Sequence, residues 1–122
     1  MATGTAKLTI TSTDVTQKNE VVFGTVAISA AAHTYATGGI VLSGLLTDLI
    51  KTSATKPNFM EIQAMPAAGT SPSGYAYIYC YGTTLDNGKM AIFNGTTEFS
   101  NGSALTVPFA DALVFRASFP KI

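Results

Sequence analysis

Residues 73–84 read SGYAYIYCYGTT. Tyr75, Tyr77, Tyr79 and Tyr81 alternate with Ala76, Ile78 and Cys80, and they are four of the chain's five tyrosines. A period of two puts the rings on one side of a β-strand and the small or apolar set on the other. Tyrosine has an apolar body and a hydroxyl that needs a partner. Two readings follow. The rings form ordinary cross-strand pairs of a central strand, or they form a tyrosine-rich contact face for another protein.

The flanking sequence has the same period. On one side, Phe59 to Met65 places Met60, Ile62 and Ala64 opposite Phe59, Glu61, Gln63 and Met65. On the other, Asn87-Gly88 is the strongest hairpin signal in the chain, with Lys89 to Asn94 returning against the tyrosine strand. Asn94-Gly95 and Asn101-Gly102 bracket a short strand, Thr96 to Phe99, and Ala104 to Val107 reads as extended up to Pro108. The final run from Asp111 turns Leu113, Phe115, Ala117 and Phe119 one way and Val114, Arg116 and Ser118 the other. Upstream, Ala6 to Ser12 and Glu20 to Ala30 are strands, and Gly24 in the second implies a bulge or a close backbone approach. One helix is expected, with Ser43 as N-cap and Leu45, Leu46, Leu49 and Ile50 on one face.

About eight short strands with frequent turn signals make an all-β fold, read as a single-domain antiparallel β-sandwich or jelly-roll-like body. Residues 1–19 are expected to form an N-terminal arm and first strand available to a neighbouring subunit, and residues 20–122 the sandwich. The first residues, MATGTAK, lack a basic segment followed by an apolar run, so no signal peptide is expected.

Composition argues for assembly. Charged residues are 11% of the 122, against roughly a quarter in ordinary domains. Mean hydropathy is +0.31. No apolar run approaches the roughly 18 residues that span a bilayer, so no membrane partner is expected. The apolar excess must be covered by folding or by neighbouring chains. Seven basic and seven acidic residues are scattered singly. Without a basic stripe the main driving term for nucleic-acid binding is missing.

Signals for catalysis are weak. His33 is the sole histidine, with no charged residue within twelve positions on either side. A nucleophilic site needs a base oriented by a third group. One histidine, one cysteine and seven scattered acids show no metal-ligand spacing. No phosphate-binding loop precedes a helix. The expectation is a non-enzyme without cofactor or metal. Cys80, opposite the tyrosines, is expected to be a buried small hydrophobe. Arg116, the only arginine, is either half of a surface ion pair or an interface anchor.

The order of features is itself informative. The Tyr35 to Gly39 turn leads into Leu45 to Ile50, then the 59–65 and 75–81 strands. The Asn87-Gly88-Lys89 hairpin, Asn101-Gly102-Ser103 and the closing Leu113 to Phe119 strand follow. This succession, over Glu20 to Phe119, resembles small structural proteins of tailed bacteriophages, of the head-decoration or cement type. The resemblance implies a homotrimer that binds the major capsid protein on the outer capsid surface of the virion and stiffens the shell. It would be present in the host cytoplasm during assembly. Tyr75, Tyr77, Tyr79, Tyr81 and Arg116 are the interface candidates. The alternatives are a glycan- or receptor-binding head-fibre or tail-tip module, and a tail or minor capsid subunit.

Overall fold

The computed structural model describes residues 2–15, 18–45, 54, 56–66, 69 and 73–120. Its strands are β1 (Thr5–Val15), β2 (Asn19–Ile28), β3 (Ile40–Ser43), β4 (Phe59–Ala64), β5 (Ala76–Cys80), β6 (Gly88–Asn94), β7 (Thr97–Glu98) and β8 (Leu113–Pro120), with one short helix, α1 (Thr106–Ala110), between β7 and β8.

Hydrogen-bonded neighbours run β3-β1-β2-β8-β4-β5-β6, and β6 pairs back to β3. The sheet is therefore a closed seven-stranded barrel, with β7 as a small flap on β6. This corrects the sandwich or jelly-roll expectation. The cause is β3. Val41 is in register with Thr5 of β1 on one edge and Lys89 of β6 on the other, so β3 has no free edge. The β1–β3 pairing is parallel, unlike every other pairing among the named strands. Closure removes the unpaired edges that a sandwich must protect.

One layer shows how the sequence fills the barrel. Ile10, Gly24, Phe115, Ile62, Tyr77 and Ile92 are successive register partners around six strands. Phe115 is next to a glycine in this layer, and small beside large is how a narrow barrel interior packs. A Cβ on Gly24 would lie 2.7 Å from the Phe115 ring and 2.8 Å from the Thr9 carbonyl carbon. Beside Gly24, β1 carries a bulge between Ile10 and Ser12. A bulge sharpens local twist, which helps the sheet to curl. The close approach expected at Gly24 is thus found, while the bulge lies on the neighbouring strand β1 and not at Gly24 itself.

The alternation expected for β8 is found, with Leu113, Phe115, Ala117 and Phe119 buried. In β4 the expected partition also holds, with Ile62 inside and Phe59, Glu61 and Gln63 exposed. β1 lies between β2 and β3, and its Ala6 and Leu8 are in the core. Residues 5–15 are thus part of the barrel wall. The helix expected from Ser43 lies outside the described residues beyond Leu45, which is fully buried. Instead of an extended 104–107 segment ending at Pro108, the chain forms α1 across that proline. Pro108 sits in the first turn, where a missing N–H costs no helical hydrogen bond. Between β5 and β6 the chain uses residues 81–87 rather than a two-residue Asn-Gly turn. Asn87 closes this loop with its side chain, its Oδ1 accepting from the Thr84 amide at 2.9 Å.

Candidate interaction surfaces

The tyrosine strand faces inward. Tyr77 is buried, Tyr75 and Tyr79 are half-buried against the core, and Tyr81, beyond the strand end, is 64% exposed. Ala76, Ile78 and Cys80 occupy the outer face, and Cys80 is exposed. The buried-cysteine expectation is therefore corrected. The period was right, but the long rings, not the small side chains, fill the interior. Space at a neighbouring strand permits this. A Cβ on Gly88 of β6 would sit 2.6 Å from the Tyr79 hydroxyl. Burial raises the Tyr79 pKa, and its hydroxyl has no hydrogen-bond partner among the described residues.

Two carboxylates fasten the rings to neighbouring loops. Asp111 accepts from the Ser73 amide at 3.1 Å, from the Ser73 hydroxyl, and from the Tyr77 hydroxyl at 2.6 Å. Partial burial works against the Asp111 carboxylate, but the bonds from Ser73 and Tyr77 outweigh it and hold its pKa low. The Tyr77 phenol is raised, first by burial and then by the bond to Asp111. Glu98 accepts from the Tyr35 hydroxyl at 2.7 Å and the Gly38 amide at 2.6 Å. Those two donors lower the Glu98 pKa, Tyr35 the more. The Tyr35 hydroxyl also accepts from the Ile92 amide at 3.2 Å. Burial, then the bond to Glu98, pushes the Tyr35 phenol up to about 12. Gly38 and Gly39 make this turn with φ of 94° and 118°, values that only glycine adopts readily. Phe99 bridges the Tyr35 and Tyr75 rings edge-on, each at 5.5 Å. These bonds tie loops to the barrel.

His33 also has a local role. Ser29 Oγ accepts from the Thr5 amide at 3.0 Å and lies 2.7 Å from His33 Nδ1. Either group can donate in this contact, according to the histidine tautomer. In a serine–histidine–acid triad the serine uses Nε2, and Nδ1 is held by the acid. Among the described residues no three histidine, cysteine or acidic side chains gather as a metal-binding group. No helix among the described residues is long and apolar enough to cross a membrane.

The outward faces carry the remaining chemistry. On β2, β8 and β4, the register forms three rows: Val21, Ser118 and Phe59; Phe23, Arg116 and Glu61; Thr25, Val114 and Gln63. Phe23, Phe59 and Met65 are exposed there. The Arg116 guanidinium lies 3.6 Å from the Glu61 carboxylate and 5.0 Å above the Phe59 ring. Around them is a shallow groove of about 430 Å³, lined by Thr11, Gln63 and Met65 among others.

A second group lies across the barrel, on β3, β6 and β5. Val41, Lys89 and Cys80 share a row, with Ile78 and Ala91 in register beside it. Val41, Ile78 and Tyr81 are exposed, and Lys56 Nζ stands 4.1 Å above the Tyr81 ring.

Of the five interface candidates, only Arg116 and Tyr81 are exposed. They lie on different sides of the barrel. Phe23, Phe59 and Glu61 were not singled out from the sequence, although alternation had put Phe59 and Glu61 on the same side of their strand. Comparison with known proteins finds no matching family, no matching curated protein and no matching solved structure.

Proposed function

We propose that this chain is a non-catalytic structural subunit that works by docking, of the kind that decorates and stiffens a virion capsid. The observation that carries the reading is the placement of six of the nine exposed large apolar side chains of the described residues on two opposite sides of a closed barrel, Val15, Val107 and Phe109 lying outside both groups. Apolar side chains scattered singly need no explanation, whereas patches mark contact surfaces. A subunit held in a lattice needs at least two such surfaces. The low charge content fits, because near-neutral neighbours repel little when packed side by side. The acids Glu98 and Asp111 are occupied in fastening loops. The capsid context and the trimer come from the resemblance to decoration proteins.

The test is addition of purified protein to shells assembled without it from the capsid protein of the same particle. Binding at micromolar concentration and a higher disruption temperature are expected. No binding refutes the reading. Rings or tubes formed by the protein alone would move it to a tail subunit.

One observation favours glycan binding as a second reading. Tyr75 and Phe99 line a groove of about 330 Å³ together with Asn94, Thr97, Glu98 and Ser100. Aromatic rings beside polar side chains suit a sugar, and a glycan array probed with wild type and Tyr75→Ala tests it.

A further inference from the structure

We infer that the outer face of β2, β8 and β4 joins two copies of this chain around a two-fold axis. Arg116 on β8 and Glu61 on β4 are register partners, 3.6 Å apart, with side chains 53% and 47% exposed. Opposite charges side by side on adjacent strands are self-complementary. A two-fold axis in the contact plane, running along the β8–β4 boundary, exchanges the two positions. Each Arg116 then meets Glu61 of the second copy, and four charges alternate around a square.

Arg116 has donors to spare. Its guanidinium offers five N–H groups. The separation to its own Glu61 exceeds hydrogen-bonding range. A second carboxylate approaching from above would complete a forked pair. Phe59, already under the guanidinium, and Phe23 beside it are covered in the same contact.

The opposite face does not offer this. The charged side chain in its exposed row is Lys89, and Lys56 caps Tyr81. Pairing that face with itself would bring like charges together, so it suits a partner of different chemistry.

The pairing is weak. Three strands about 4.8 Å apart and three side-chain rows about 6.8 Å apart give a patch of roughly 300 Å² per copy. The total is below the 1,200 Å² or so of standard specific interfaces. Association is reversible and appears only at high concentration. The inference stands whether or not the chain coats a shell, and its test needs no shell.

Sedimentation equilibrium over a concentration series tests it, with Arg116→Glu and Glu61→Arg as variants. Both positions are half exposed, so the fold is retained, and a thermal melt checks this. Wild type is expected to rise from 12.7 kDa towards twice that mass. Each single variant should weaken association about tenfold or more. Mixing the two variants should restore it, because the acidic pair of one variant then faces the basic pair of the other. A wild type that stays monomeric at every concentration overturns the inference. So does association through a trimer alone, or a mixture that behaves like its separate components.

Discussion

Replacing Gly24 by alanine tests how the barrel closes. The new methyl carbon would stand 2.7 Å from a Phe115 ring carbon and 2.8 Å from the Thr9 carbonyl carbon, with the Thr9 oxygen nearer still. Ordinary carbon contacts begin at about 3.5 Å, so the ring must retreat by roughly 0.8 Å, and the Thr9 carbonyl by more because its oxygen is the nearest atom. The ring can tilt, but the Thr9 carbonyl belongs to the β1–β2 ladder at the bulge and cannot move alone. Overpacking a well-filled interior costs about 1–3 kcal/mol, and a weakened ladder bond adds about 1 kcal/mol. A loss of about 3 kcal/mol is therefore expected. For a chain of this size it lowers Tm by about 10–15 °C. Urea unfolding followed by circular dichroism measures the loss, and a thermal melt gives the second figure. A loss below about 1 kcal/mol would mean that β1 and β2 do not approach this closely. The packed layer built on Gly24 and Phe115 would then fall.

Acid should loosen the two carboxylate clamps. Asp111 and Glu98 have folded pKa values below their unfolded ones, so their stabilisation is present above about pH 4 and is lost as pH falls through the lowered values. Asp111→Asn should lower the urea midpoint at neutral pH and flatten its fall in acid; an unchanged pH profile would refute the clamp. Tyr35→Phe leaves the Ile92 amide without its acceptor and Glu98 without its main donor, a loss of about 2–3 kcal/mol by urea unfolding. In wild type the Tyr35 phenol is raised to about 12. Its contribution is present below about pH 10 and is lost as pH rises through 12, which phenolate absorbance and circular dichroism recorded together would show. Cys80 is exposed, so the native protein should react with Ellman's reagent without denaturant; a thiol that reacts only after unfolding would contradict its outward placement.

The strands were legible because alternation is local. β8, β4 and β2 each divide their residues as their spacing indicates. Alternation does not say which side is the interior. On β5 the answer depends on Gly88, on the next strand along the chain, which leaves room for the Tyr79 ring. Closure was hidden for the same reason. The parallel pairing of β1 with β3 joins Thr5 to Val41 across the whole β2 hairpin. α1 is not legible in the sequence because a proline inside a helix normally breaks it, whereas Pro108 stands in the first turn and breaks nothing. Arg116 was visible as an isolated cation. Its surroundings were not, because Phe23, Arg116 and Glu61 become a row only when β2, β8 and β4 are known to be neighbours.

The same distinction between composition and placement bears on the docking proposal. Nine large hydrophobic side chains are exposed among the described residues, and only their grouping carries meaning. Ile78 makes the clearest test. It is 47% exposed and points outward from a strand whose inward side is the packed tyrosine row. Ile78→Asp should therefore cost only about 1 kcal/mol of folding stability, the span of strand propensity, and leave the fold intact. An aspartate buried in a docked face would instead leave an unpaired charge, a penalty of several kcal/mol. The variant should still unfold cooperatively in a thermal melt and fail to raise the disruption temperature of a shell. If Ile78→Asp unfolds the chain, β5 is turned the other way. If it folds and still protects the shell as well as wild type does, the β3, β6 and β5 face is not where docking occurs.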